Sequence, residues 1–221
     1  MTISPPGSPP APVPAPVPAP APAPPAVFNR RLHARRLARA AAGFPGYSFL
    51  KDAATEDIAE RLAAITRRFP RALDLGARDA SGADALMRTG KVDEAVAASL
   101  SPDIARRAGG SPLWVAADEE ALPFAEGAFD LATSALALHW VNDLPGALIQ
   151  IRRCLRPDGL FLASLFGAGT LRELREALLE AEAEIRGGAA PRVSPFLDVL
   201  DGARLLQRAG FAMPVADADT R

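Results

Sequence analysis

Arg71 to Gly76 reads RALDLG, three apolar residues and an acid packed into five positions and closed by a glycine. A run this short and this apolar predicts a buried strand, and the glycine lets the chain turn tightly behind it. Outward from it the pattern repeats. VDEAVAASL precedes SPDIARRAGG, PLWVAAD follows, AFDLATSALAL precedes PGALIQIRRCL, and GLFLASLFG precedes TLRELREALLEAEAEI. Strand and helix in alternation predict an α/β fold, a doubly wound, mostly parallel sheet with right-handed crossovers and helices on both faces.

Upstream of this domain, Ile58, Leu62, Ile65 and Phe69 recur at three- and four-residue spacing, which predicts a helix from about Asp52 to Phe69, stopped by Pro70. Before it, VFNRRLHARRLARAAA sets five arginines among Leu32, Leu37 and alanines after Asn29, a candidate N-cap. This helix is open to three readings: a patch for an anionic surface, a solvated face with one apolar stripe, or a lid over a ligand cleft. Twelve of the 22 prolines lie before Val27, and Ser4 to Ala26 carries no charge. That stretch predicts an extended polyproline-type tail, either a PxxP docking ligand or a spacer. The expected organisation is therefore a disordered tail over 1–26, capping helices over 27–70 and the α/β domain over 71–221.

Composition bounds the partners. The 221 residues are 49% hydrophobic, and 25 basic against 26 acidic residues give a net charge of −1, so non-specific nucleic-acid binding is not expected. Cys154, the single cysteine, excludes an internal disulfide and sits on the apolar face of a predicted helix as a buried thiol. With only two histidines, no metal site is expected. No apolar run approaches the roughly 20 residues that span a bilayer, and no leader pattern opens the chain; a cytoplasmic protein is the expectation. Arginine dominates the basic residues, with Lys51 and Lys91 the two lysines, as in high-GC bacterial coding.

In open parallel sheets ligands bind beyond the carboxyl ends of the strands, so strand-end residues carry the functional reading. The first strand ends in Asp74-Leu75-Gly76. A dinucleotide GxGxxG is absent, because Arg78 and Ser81 stand at the second and third glycine positions. The second strand ends at Ser99, which cannot grip ribose hydroxyls as a carboxylate does. The third ends at Asp118-Glu119, where an acid can accept from the exocyclic amine of a base or simply face solvent. No GxSxG elbow surrounds Ser134, so a serine hydrolase is not expected. His139 beside Trp140 is open as a general base, a substrate contact or a packed ring.

LDLG from Leu73, DEEALPF from Asp118, GAFDL from Gly127, SALALHW from Ser134 and RPDGL from Arg156 together resemble class I S-adenosylmethionine (SAM)-dependent methyltransferases of the type 11 group. FNRRLHARRLARA, FLKDAATEDIAERL, LHWVNDLPGAL and the late PRVSPFLDV with LLQRAGFA are similar to the branch of mitochondrial complex I assembly methyltransferase-like proteins and their bacterial relatives, the malonyl-carrier methyltransferases being more distant. The resemblance implies a Rossmann-like fold and SAM as cofactor. It places Asp74, Gly76 and Ala77 by the methionine and sugar, Ser99 and Leu100 at the ribose position, Asp118 and Glu119 by the adenine, Ser134 to Leu136 beside the cofactor, and catalytic His139 on the substrate side. Two of three loop glycines are replaced at Arg78 and Ala80, and a side chain where only glycine fits blocks close approach of backbone to ligand. The resemblance further implies a last antiparallel strand beyond Arg221. The implied activity is methyl transfer to a small-molecule or protein acceptor. The branch also implies two alternatives, a non-catalytic assembly factor for a respiratory complex I subunit and an arginine hydroxylase, since fold does not decide reaction.

Overall fold

The computed structural model describes residues 26–108, 110–188 and 190–220; the proline-rich stretch falls outside them apart from Ala26. Five strands form one parallel sheet: β1 (Arg71–Leu75), β2 (Glu94–Ser99), β3 (Leu113–Ala116), β4 (Phe129–Ala135) and β5 (Leu155–Ser164). Their order is β3-β2-β1-β4-β5. The chain therefore reverses direction across the sheet between β1 and β4, and that reversal opens the crevice in which such sheets bind ligands.

The helices are α1 (Arg30–Ala40), α2 (Phe49–Ala63), α3 (Ser81–Arg88), α4 (Pro102–Ala108), α5 (Leu144–Cys154), α6 (Arg172–Arg186) and α7 (Val199–Arg208). Asn29 caps α1 as its sequence predicts, its side chain accepting from the Leu32 amide at 2.9 Å. The second helix is displaced from its expected span. It starts three residues earlier, at Phe49, and ends at Ala63, while Phe69 reaches the core from the following connection. The apolar stripe is real, but its last member is held by Phe69 N–H donating to the Lys91 carbonyl at 2.8 Å rather than by a helical turn.

Period-two alternation along β1 divides the core. Leu73 and Leu75 pack with Ala147, Leu148, Ile151 and Cys154 of α5, and residues of α7 cover that cluster. Ala72 faces the other way, with Ile58 and Leu62 of α2 and Ala83 and Leu86 of α3. Cys154 is buried and unpaired, and burial pushes its thiol pKa up. Asp74 shares the α2–α3 face, only 3% exposed. Its carboxylate lies against the first turn of α3, where it accepts from the Ala83 amide and where a Cβ on Gly82 would stand 2.2 Å from Oδ2. Burial raises the Asp74 pKa to about 6, against the pull of the Lys51 ammonium and that amide.

This contact reverses two ordinary expectations. Glycine to alanine inside a helix usually gains up to about 1 kcal/mol, yet Gly82→Ala is expected to lose about 1–3 kcal/mol in urea unfolding, because the new methyl overlaps the carboxylate. Asp74→Asn is expected to be more stable than the parent at neutral pH. A carboxyl whose folded pKa exceeds its unfolded one binds its proton more tightly when folded, so the parent regains stability as pH falls through about 6. The gap between the two should close toward about pH 4, where both folded and unfolded carboxyls take up protons; a gap constant with pH would contradict the buried charge.

Candidate functional site

The loop after β1 and the turns after β3 and β4 meet at the carboxyl edge of the sheet. Gly76 adopts φ +79°, and a Cβ there would lie 2.1 Å from Cβ of Ala137 and 3.3 Å from Oε1 of Glu119. Only glycine suits this position: the backbone is left-handed and two neighbouring loops close on it. Gly76, Glu119 and the turn at Ala137 are thus brought together.

Asp118 and Glu119 are held by a residue from far upstream in the chain. Arg30, in the first turn of α1, binds Asp118 Oδ1 through Nη2 at 2.7 Å, bonds Glu119 Oε2 through the same nitrogen, and donates through Nη1 to the Trp140 carbonyl at 3.0 Å. Burial works against the Arg30 charge, but the two carboxylates outweigh it and raise its pKa; burial likewise raises Glu119, opposed by Arg30. The start of α1 is latched as well. The Phe28 amide donates to Asn142 Oδ1 at 2.7 Å, Asn142 Nδ2 donates to the Phe28 carbonyl at 3.1 Å, and the His33 ring stacks on Trp140 at 4.7 Å between centroids.

Arg78 leaves the β1 loop on the same side. Its Nη2 donates to the Leu136 carbonyl at 3.0 Å, bridging the β1 and β4 turns, and its guanidinium carbon lies 5.7 Å from the centroid of the Phe44 ring. The loop that carries it is anchored by Lys51 of α2, 4% exposed, whose ammonium bonds Asp79 Oδ1 at 2.9 Å and Ser81 Oγ at 2.7 Å. Asp79 also accepts from the Ser81 amide and hydroxyl. Although burial opposes it, those bonds and the Lys51 charge hold the Asp79 carboxyl below its usual range.

The other expected site residues lie differently. Asp74 points beneath α3 rather than into the cleft. Ala77 is buried under the loop, and Ser99 is 0% exposed, its Oγ accepting from the Ser101 amide. A hydroxyl this short turns back into its own loop, where a longer carboxylate would reach outward. Leu100 is half-buried at the end of β2. Ser134 is fully buried, its Oγ without a partner among the described residues, and the Leu136 backbone, at φ +51°, receives Arg78. His139 sits among Trp140, Phe166 and Phe196, with Nδ1 buried and without a partner among the described residues. Burial first, then the Arg78 and His33 charges, hold its pKa near 4; His33 is lowered to about 4 chiefly by burial, then by Arg30. His139 is therefore a neutral ring at neutral pH.

Arg30, Lys51, Arg78 and Asn142 are absent from the strand-end reading. Arg78 and Lys51 each left a trace in the sequence, one as a charge in a glycine position and the other as one of two lysines among arginines. Arg30 was marked only through its five-arginine helix, a lid over the cleft being one of that helix's readings, and Asn142 left no trace, since their contacts lie about 90 and 114 positions away. No group of three or more His, Cys, Asp or Glu side chains among the described residues is arranged to hold a metal ion.

Residues 73–163 match the model of a methyltransferase domain. The chain is 41% identical over 204 residues to the arginine-hydroxylase NDUFAF5, mitochondrial, of Mus musculus, covering 87% of this chain and 57% of that protein. It is 34% identical over 199 residues to the malonyl-[acyl-carrier protein] O-methyltransferase of Halorhodospira halophila, covering 87% and 65%. It thus spans less than two thirds of the length of either relative. Among solved structures, the methyltransferase in complex with the Haloferax volcanii Trm112 activator superposes with a TM-score of 0.61 at 18% identity, covering 82% of this chain and 76% of that one. The Burkholderia thailandensis 1,6-didemethyltoxoflavin-N1-methyltransferase, solved with S-adenosylhomocysteine, gives 0.55 at 24% identity, covering 88% and 82%. The sheet order and these superpositions give the chain the fold of class I methyltransferases, and the methyltransferase-domain match lies within that sheet.

Proposed function

We propose that this protein binds SAM at the carboxyl edge of its sheet and transfers a methyl group to a small-molecule or protein acceptor. The observation that carries the reading is the meeting of Gly76 with Glu119 and Asp118 at one strand-end cleft. The donor set fits the cofactor. Two carboxylates offer acceptors to the amine of a base and the hydroxyls of a sugar, and Gly76 keeps side-chain atoms off the floor between them. The space above those carboxylates is held by Arg30, so a nucleoside must displace that guanidinium and α1 acts as a cap on the cleft.

Bound SAM supplies a methyl group on a sulfonium, so good a leaving group that transfer depends on placement more than on proton chemistry. His139 suits that division of labour. A ring with a pKa near 4 is a weak base at neutral pH, but its unpartnered nitrogen can orient an acceptor by a hydrogen bond. The surrounding Trp140, Phe166 and Phe196 rings exclude water from that side. We assign the protein to the cytoplasm of a bacterium on its arginine-rich, cysteine-poor composition; no described helix is long and apolar enough to cross a membrane.

A second reading, a non-catalytic or arginine-hydroxylating assembly factor for a respiratory complex I subunit, is supported by the similarity to the mitochondrial relatives and by the closure of the cleft by Arg30. Calorimetric titration separates the two. Binding of SAM and S-adenosylhomocysteine with micromolar Kd, about −8 kcal/mol, is expected. Absence of heat and of any thermal shift on a folded sample would favour the assembly role. Glu119→Gln is expected to weaken S-adenosylhomocysteine by about tenfold or more, the worth of a charge-assisted bond. Arg30→Ala should tighten it, since it removes the group the nucleoside displaces; weaker binding would instead make Arg30 a ligand contact.

A further inference from the structure

Arg78 stands where the resemblance expects a glycine, yet its side chain does not run out into solvent. It turns into the cleft and spans the gap between the β1 and β4 turns, one nitrogen donating to the Leu136 carbonyl at 3.0 Å. That bond uses one of the five N–H donors of a guanidinium. The acids whose charges reach Arg78 are already engaged: Glu119 is bonded to Arg30, and Asp79 Oδ1 to Lys51 and Ser81. Among the described residues no carboxylate lies within ion-pair distance of Arg78, and burial lowers its pKa. A half-buried guanidinium with spare donors and no counter-ion is a site for an anion, and its planar fork fits a carboxylate on two nitrogens.

We infer that Arg78 is a binding residue for the carboxylate of an α-amino acid group, the methionyl end of the cofactor, at the mouth of the β1 loop. The inference rests on the reading of this cleft as a SAM site and deepens it. The side chain that replaces a loop glycine removes a close backbone approach and puts a guanidinium in its place. Lys51 makes the exchange workable, because its bonds to Asp79 and Ser81 hold the loop immediately after the lost glycine and occupy the acid next to Arg78. The Phe44 ring beneath the guanidinium limits its swing.

The test compares S-adenosylhomocysteine with 5′-methylthioadenosine, which keeps the nucleoside and thioether and lacks the amino acid group. Both are titrated into the full chain, into Arg78→Gly, which restores the glycine, and into Arg78→Lys. Wild type is expected to prefer S-adenosylhomocysteine by about tenfold or more, Arg78→Gly to lose that preference while holding 5′-methylthioadenosine within about twofold, and Arg78→Lys to fall between them. Arg78→Met, which keeps the bulk without the charge, replaces the glycine variant if circular dichroism finds the latter unfolded, with the same loss expected. Equal or tighter binding of S-adenosylhomocysteine by either neutral variant would overturn the inference and make Arg78 an obstruction. Binding of neither nucleoside by folded wild type would overturn the SAM reading itself, and the inference with it.

Discussion

The carboxylate of Asp74, buried beneath the first turn of α3, is the contact on which the site is built. It sits in the central strand of the sheet, so whatever accommodates it fixes the connection from β1 to α3. A buried carboxyl without a full set of partners is costly, and Asp74 Oδ2 has none among the described residues. Three features limit the cost. The Ala83 amide donates from the start of α3, where the helix dipole favours negative charge. Gly82 leaves room for the oxygen, and Lys51 brings a positive charge close without bonding it directly. Each of these features also shapes the loop between Gly76 and Ser81, so the solution to a burial problem under the sheet decides what the loop presents above it.

Above the sheet the charges sort into two ends. At one, Asp118 and Glu119 share Arg30; at the other, Arg78 has a carbonyl and an aromatic ring but, among the described residues, no ion-paired carboxylate. Surface ion pairs contribute little, whereas a pair removed from water has large and opposing terms, and breaking it by removing one partner is expensive. Arg30, with a side chain only 12% exposed, belongs to the second kind. The helix that carries it adds no fully buried residue to the core. Its attachment is polar and aromatic, through Asn142 and Trp140, which suits an element that covers a cleft and yields to a ligand.

The α/β alternation was legible because it is written in local periodicity: each short apolar run and the helix behind it appear where the pattern puts them, and Asn29 caps α1 as read. The end of α2 was not, since apolar spacing alone does not distinguish a last helical turn from a connection that drops Phe69 into the same core. The strand-end acids were legible for the same local reason, being adjacent to the strands that carry them. Their direction was not. Asp74 and Glu119 both follow apolar runs, yet one faces α3 and the other the cleft, because side-chain direction depends on the register of the strand and on what packs over it. Ser99 shows the same limit. It lies at the expected strand end, but a short hydroxyl is satisfied within its own loop and never reaches the cleft.

The two guanidiniums explain why loss of the loop glycines need not mean loss of the site. A glycine-rich loop binds an anion through backbone amides and needs the ligand to come close to the main chain. A long cation reaches outward and needs no such approach, but unlike an amide it carries a net charge that must be compensated wherever water is excluded. At the acid end the chain compensates its own charges, and a ligand gains there only what it recovers after displacing Arg30. At the basic end no described carboxylate is ion-paired with Arg78, and Glu119 and Asp79 act on it only from a distance, so a carboxylate arriving there displaces no ion pair and relieves a desolvated charge. Of the two ends, the one that departs from the family pattern is thus the one where ligand binding is least opposed.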